Sequence, residues 1–303
     1  MPARHLVRTA DQAVFETPSA FAALSQGFRR WSIVNGESSV HQEFNICELE
    51  PGGSIDTHIH SFEESIYVLE GQLTCETGDG LFVLTEGDYG VFLVAAPHAL
   101  RNTASERTRW VEMLAPQPRL GSSGDTFPVA PLGQAGPPLP INPRDPRTRF
   151  FGNITPQHMD PTKQSQDLLA VSGSMRTALL VYTGITVKMM IDSQLGAYLA
   201  TMFMVQYEPG GGVGNHDHPF EETYMILEGE VDAWFDEEYY RLKPGDIAWA
   251  GVGCIHRFRY PQNEFVRWLE TSAPQPPARY SYRFARDWTY LEEALSKEGE
   301  NNG

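Results

Sequence analysis

The chain has 303 residues, 41% hydrophobic and 20% charged, a composition of folded globular proteins with room for two ordinary domains. Acidic residues outnumber basic ones 39 to 23, a formal charge of −16, which argues against nucleic acid or an anionic membrane surface as partner. No apolar run reaches the roughly 20 residues of a membrane span, and the first residues lack the apolar stretch of a secretory signal. Three cysteines without a CxxC pattern exclude a disulfide framework, so a cytoplasmic location is expected.

Taken in chain order, TPSAFAALSQ reads as a short helix, with Thr17 as N-cap and Pro18 at the first helical position. FNICEL, SIYVLEG, LFVLTEG, YGVFLVA and RWVEML follow. They are short runs rich in Val, Ile, Tyr, Phe and Trp, separated by turn residues, and they read as strands. From Pro116 to Pro146 the chain is dense in Pro and Gly, which disfavours helix and central strand. Two readings of this stretch stand: a loose linker, or an arm lying across the other half. The strand pattern resumes with ATMFMVQY, TYMILEG, VDAWF, DIAWAG, FRYP and VRWLE. DWTYLEEALSKE, starting at Asp287, is expected to form a C-terminal helix. Many short strands and few helices predict an all-β barrel or sandwich.

The two strand-rich stretches are copies of one another. EPGGSIDTHIHSFEESIYVLEGQ, from Glu50, matches EPGGGVGNHDHPFEETYMILEGE, from Glu208, at an offset of 158 residues. The same offset relates Gly87-Asp88 to Gly245-Asp246, His98 to His256, and RWVEMLAPQP to RWLETSAPQP. One domain has been duplicated and fused. The expected division is residues 1–115 for a first barrel with an N-terminal extension, 116–150 for the linker, and 151–303 for a second barrel with its C-terminal helix.

Each copy carries a His-x-His pair with a Glu four residues beyond: His58, His60 and Glu64, then His216, His218 and Glu222. On a strand, residues i and i+2 face the same way, so both imidazoles of a pair share one face. The Glu lies at an even offset and joins that face if the strand continues or turns over. A further histidine, His98 or His256, follows a Gly-Asp turn. Six of the nine histidines fall in these two sets, while His5, His41 and His158 read as surface or structural. Three imidazoles and a carboxylate suit a divalent transition metal such as Fe, Mn, Ni, Cu or Zn, up to two ions per chain.

These residues resemble the cupin superfamily. Its first motif is matched by Gly52, His58, His60, Glu64 and Gly71, and again by Gly210, His216, His218, Glu222 and Gly229. Its second motif is matched by Gly87, His98 and Asn102, and by Gly245, Gly253 and His256. Departures fall at turn and outer positions: Leu93, Ala95, Gly251 and Tyr260. The resemblance covers about 75 residues in each half. It implies two tandem cupin-type jelly-roll β-barrels with a few short helices, a bicupin, each barrel holding a metal by three His and one Glu with an open coordination position.

Parity reads the pockets one step further. Tyr224 and Ile226 share the face of Glu222, and Phe258 and Tyr260 that of His256; the first copy has Ile66, Val68, Leu100 and Asn102 there. The second pocket is therefore expected to take an aromatic or planar polar molecule, with Tyr224 or Tyr260 as its hydrogen-bond partner. Glu63 and Glu221 have the opposite parity and are read as facing solvent or pairing with an Arg. Arg109, Arg267, Trp110 and Trp268 repeat and suit the shared fold. Cys254 reads as a small buried side chain, and Asp236 to Glu238 as a solvated hairpin tip. The expected function is a metal-dependent dioxygenase of a small organic substrate. The alternatives are a metal-dependent hydrolase or isomerase of a small polar metabolite, and a non-enzymatic binding barrel. A small-molecule substrate is the expected partner, and a homodimer remains open.

Overall fold

The computed structural model describes residues 4–119, 121, 123–163, 182–259, 264–275 and 283–284. The C-terminal helix expected from Asp287, and Tyr260, lie outside the described residues. The chain forms two curled sheets, of 11 and 10 strands, one from each copy of the repeat. They are tandem jelly-roll barrels of the all-β class.

Each barrel is organised around one long strand, Glu43–His60 in the first and Thr201–Asp217 in the second. The start of each pairs with the strand that carries the repeated Arg-Trp, Thr108–Ala115 or Val266–Ala273. The far end pairs with a short strand, His98–Arg101 or His256–Arg259. A register shift precedes each His-x-His pair, between Ile55 and His58 and between Val213 and His216, a bulge that re-aims the side chains after it.

Period-2 alternation sorts the side chains into three cores. Cys47, Leu49, Ile66, Val68 and Trp110 fill the first barrel. Their counterparts Val205, Tyr207, Tyr224, Ile226 and Trp268 fill the second. The residues between them on the same strands point the other way. Phe44, Ile46, Tyr67, Val111 and Met113 meet Met202, Met204, Met225 and Leu269 in a third core between the barrels. Strands such as Thr108–Ala115 are thus buried on both faces, which explains their nearly unbroken apolar sequence.

That arrangement corrects the reading of Glu63 and Glu221. They have the parity opposite to the ligands, but this face is the inter-barrel face, and both are only 2% exposed. Among the described residues neither pairs with an Arg. Glu63 accepts the backbone N–H groups of Tyr198 and Leu199, at 2.8 and 2.9 Å. Glu221 accepts the Val40 N–H at 2.9 Å, the Ser39 hydroxyl and the Trp249 indole N–H. Tyr198 is the repeat counterpart of Val40, so each barrel grips the same loop of the other.

Strand pairing also crosses the boundaries drawn from sequence. His5–Arg8 pairs with Ile247–Ala250, so this N-terminal strand belongs to the second sheet. Thr126–Pro128, Leu139–Pro140 and Phe151–Asn153 all join the first sheet. The Pro/Gly-rich stretch is neither a loose linker throughout nor an arm across the other half: its strands lie along the barrel that precedes it. The helix expected over TPSAFAALSQ shrinks to one 3₁₀ turn, Ser19–Phe21. Phe21 plugs the first barrel, and from Ser25 the backbone is taken by antiparallel pairing with Ile55 and its neighbours. The Asp236-Glu237 hairpin tip is as expected, with both residues at positive φ.

Candidate metal centre

In the first barrel His58, His60, Glu64 and His98 are buried, and one ligand atom from each lies within 4.8 Å of all the others. His58 sits directly across the ladder from His98. Glu64 arrives from the next strand, Glu63–Glu70, after a two-residue turn at Ser61 and Phe62. Its Oε2 is 3.0 Å from His60 Nε2 and 3.1 Å from His98 Nε2.

Outer partners fix these rings. His58 Nδ1 donates to the Asp56 carbonyl at 2.7 Å and His98 Nδ1 to the Ala96 carbonyl at 2.9 Å. His60 Nδ1 meets the Thr126 hydroxyl at 3.1 Å. A carbonyl only accepts, so His58 and His98 carry a proton on Nδ1 and turn Nε2 inward. Aromatic rings hold the imidazole planes: Phe62 stacks on His60 at 4.3 Å, Phe92 on His98 at 4.0 Å, and Phe21 meets His58 edge-on at 5.5 Å. Burial lowers the His58 pKa to about 3, with the two neighbouring imidazoles adding to the effect, so the ring stays neutral.

The second barrel repeats the plan. His216, His218 and His256 donate through Nδ1 to the carbonyls of Gly214, Phe220 and Cys254 at 2.8, 2.9 and 3.0 Å. Phe220 stacks on His218 at 4.2 Å, as Phe62 does on His60. Burial lowers His216 to about 4. The mutually close donor atoms here are the three imidazoles. Glu222 Oε2 reaches His218 Nε2 at 2.7 Å and stands 3.7 Å from His256 Nε2. Tyr224 comes between, its hydroxyl 2.5 Å from Glu222 Oε2 and 2.9 Å from His256 Nε2. The parity reading put Tyr224 on this face, and its hydroxyl lies among the donor atoms themselves. Cys254 contributes its carbonyl to His256, while its thiol lies on the side of His5 and Asp236.

The donor chemistry fits a cation. Imidazole Nε2 atoms converge on one carboxylate oxygen in each barrel, His60 and His98 on Glu64 at 3.0 and 3.1 Å and His218 on Glu222 at 2.7 Å. Several lone pairs gathered at one point favour a positive charge among them. Neutral imidazoles with outer hydrogen-bond partners are the usual preparation for a transition metal.

The sequence reading did not single out a buried carboxylate on the Arg-Trp strand of each copy, Glu112 and its counterpart Glu270. Glu112 is held by Arg30 at 2.6 Å and by the Asn45 amide at 2.9 Å, and burial still pushes its pKa up to about 7. Glu270 accepts the Trp268 indole N–H at 2.9 Å, and burial beside Glu222 drives it well above the carboxylate range. The available signal was an acid at even spacing from a core tryptophan, repeated at the same offset.

A small cavity of about 60 Å³ in the second barrel is lined by His216, Glu222, Tyr224, Phe258 and Glu270. A larger one, about 260 Å³, lies beside the first centre against Phe21, Phe62 and Thr126, residues that touch His58 and His60.

Two fused β-barrels, each with an inward-facing set of three imidazoles and a buried carboxylate beside them, define a duplicated barrel with side chains that could hold a metal ion in both halves. The cupin domain family matches twice, at residues 45–114 and 203–272. The chain is a two-domain cupin. No curated protein matches it. Among solved structures it is similar to a candidate glyoxylate-induced protein of Pseudomonas aeruginosa, with 17% identity, 90% of each chain covered and a TM-score of 0.61. It is also similar to Lactobacillus farciminis oxalate decarboxylase in a formate complex, with 16% identity, 96% of this chain and 92% of that one covered, and a TM-score of 0.60. The Bacillus subtilis oxalate decarboxylase at pH 4.6 gives 14% identity, 96% and 82% coverage and a TM-score of 0.59. At these identities the likeness is one of fold. Among the described residues, no helix is long and apolar enough to cross a membrane.

Proposed function

We propose that this bicupin is a metal-dependent enzyme, a dioxygenase of a small organic substrate, and that its chemistry takes place in the first barrel. The observation that carries the reading is the four-donor set of His58, His60, Glu64 and His98, walled by Phe21, Phe62 and Phe92. A bound Fe, Mn, Ni, Cu or Zn ion there would supply Lewis acidity and a position for oxygen or substrate. The protein's part is to hold the three imidazoles by their outer hydrogen bonds and to wall them with aromatic rings. The adjoining cavity of about 260 Å³ has room for a small molecule one side chain away from the imidazoles. The three free buried thiols fit a reducing compartment, and we place the chain in the cytoplasm as part of the same proposal.

A second reading, proton-transfer chemistry such as decarboxylation, isomerisation or hydrolysis, is favoured by Glu112. Burial pushes this carboxyl up to about 7, toward the range of a general acid, and it lies close enough to Glu64 for the two charges to interact. An oxygen electrode separates the two. Iron-loaded protein given small carboxylic and aromatic substrates is expected to consume oxygen in proportion to substrate lost. Substrate turnover without oxygen uptake overturns the dioxygenase in favour of the second reading.

A further inference from the structure

The two donor sets differ in one respect that the repeat itself exposes. Position 66 of the first barrel is a buried isoleucine, and its counterpart is Tyr224. The Tyr224 oxygen is 2.5 Å from Glu222 Oε2 and 2.9 Å from His256 Nε2. The phenol has one proton and can donate it to only one of these acceptors. His256 already donates through Nδ1 to the Cys254 carbonyl, so its Nε2 brings a lone pair. Glu222 brings only lone pairs, and its other oxygen accepts the Ser272 hydroxyl. With the phenol proton drawn to Glu222 at 2.5 Å, the phenol oxygen and the His256 Nε2 lone pair face each other at 2.9 Å. His218 Nε2 approaches the same Glu222 oxygen at 2.7 Å from the other side.

A cation among these atoms resolves the conflict. Resting on the reading of both barrels as metal centres, we propose that Tyr224 is itself a ligand of the second barrel's metal ion. On binding, the phenol O–H bond breaks, the proton leaves to solvent by way of Glu222, and the freed oxygen lone pair forms the bond to the ion. With three imidazoles, a phenolate and Glu222 at hand, the second site is filled by the protein. The first barrel, with Ile66 at the same place, keeps its open position. The duplication thus yields one structural centre and one reactive centre.

Copper(II) is the probe, because a phenolate bound to it absorbs in the visible, whereas imidazole and carboxylate ligands alone do not give that band. The full chain carrying His58→Ala and His60→Ala leaves only the second centre to load. It is expected to take up one Cu(II) with a visible charge-transfer band. Adding Tyr224→Phe is expected to keep the Cu(II) and lose the band. Resonance Raman excitation into the band of the unsubstituted, fully loaded chain is expected to show phenolate ring modes. That measurement needs no substitution and stands if a variant fails to fold. Cu(II) bound at the second centre without the band, or a band that survives Tyr224→Phe, overturns the proposal. So does uptake that appears only after Tyr224→Phe, which would make Tyr224 a plug. If no variant and not even the unsubstituted chain binds Cu(II), the metal-centre reading falls as a whole, an outcome distinct from the others.

Discussion

Replacing Glu221 by Ala tests the grip between the barrels. Glu221 is 2% exposed and accepts hydrogen bonds from the Val40 backbone, the Trp249 indole and the Ser39 hydroxyl. Hydrogen bonds to a charged acceptor contribute about 1.5–3 kcal/mol each, so three amount to a gross loss of about 4.5–9 kcal/mol. Against this stands relief from burying a carboxylate, a matter of several kcal/mol per ion. The expected net cost of Glu221→Ala is about 3 kcal/mol, in the range found when one partner of a buried charged constellation is removed. Glu221→Gln keeps an acceptor oxygen in place and is expected to cost about 1 kcal/mol. Urea unfolding of metal-free protein, followed by far-UV circular dichroism, reads both values from the midpoint at constant slope. Glu63→Ala should behave as Glu221→Ala does, because it releases the Tyr198 and Leu199 amides in the mirror-related place. An Ala variant within about 0.5 kcal/mol of the parent, the span of an ordinary surface substitution, would refute the reasoning.

Three further outcomes are expected. Thr126→Val removes the outer partner of His60 and should weaken metal binding at the first centre by about tenfold, measured by calorimetry in a His216→Ala background. Ala95 sits at φ 60 in the turn before His98, where the family motif has glycine; Ala95→Gly should stabilise the metal-free protein by about 0.5 kcal/mol in thermal unfolding, since relief of left-handed strain outweighs the added freedom of the unfolded chain. In protein stripped of metal, burial holds His216 at about 4, below its usual 6.5, so the unfolded chain binds protons first as pH falls. The contribution of His216 is then fully present above pH 6.5 and is lost as pH falls from there to about 4, by an amount of about 3 kcal/mol, with His58 shifting in the same direction over a wider window. A urea midpoint that does not move across that window would contradict the buried neutral histidines.

The repeat and the alternation of side chains made most of the fold legible. His58, His60, His216 and His218 could be set on one face by parity alone. The turn that brings Glu64 and Glu222 onto that face was left open by spacing and supplied by the family resemblance. The same parity set Tyr224 on the face of Glu222, and its hydroxyl lies against Glu222 and His256. What parity cannot tell is what covers the opposite face. Glu63 and Glu221 looked solvated because nothing local announces a second barrel packed against them. The helix expected at Thr17 had a sound cap and sound propensities, and lost to long-range pairing of Ser25 with Ile55. The destination of His5–Arg8 was likewise invisible, since its partner Ile247–Ala250 lies about 240 residues away.

The crossing of strands between the halves has an evolutionary side. An edge strand of the second sheet precedes the whole first barrel in sequence, and each carboxylate clamp is written half in one copy and half in the other. A recombination event that swapped one half for a relative's would separate partners that fit only each other. The dovetail therefore makes the pair a single unit of inheritance, free to let its two pockets diverge while forbidding either to leave.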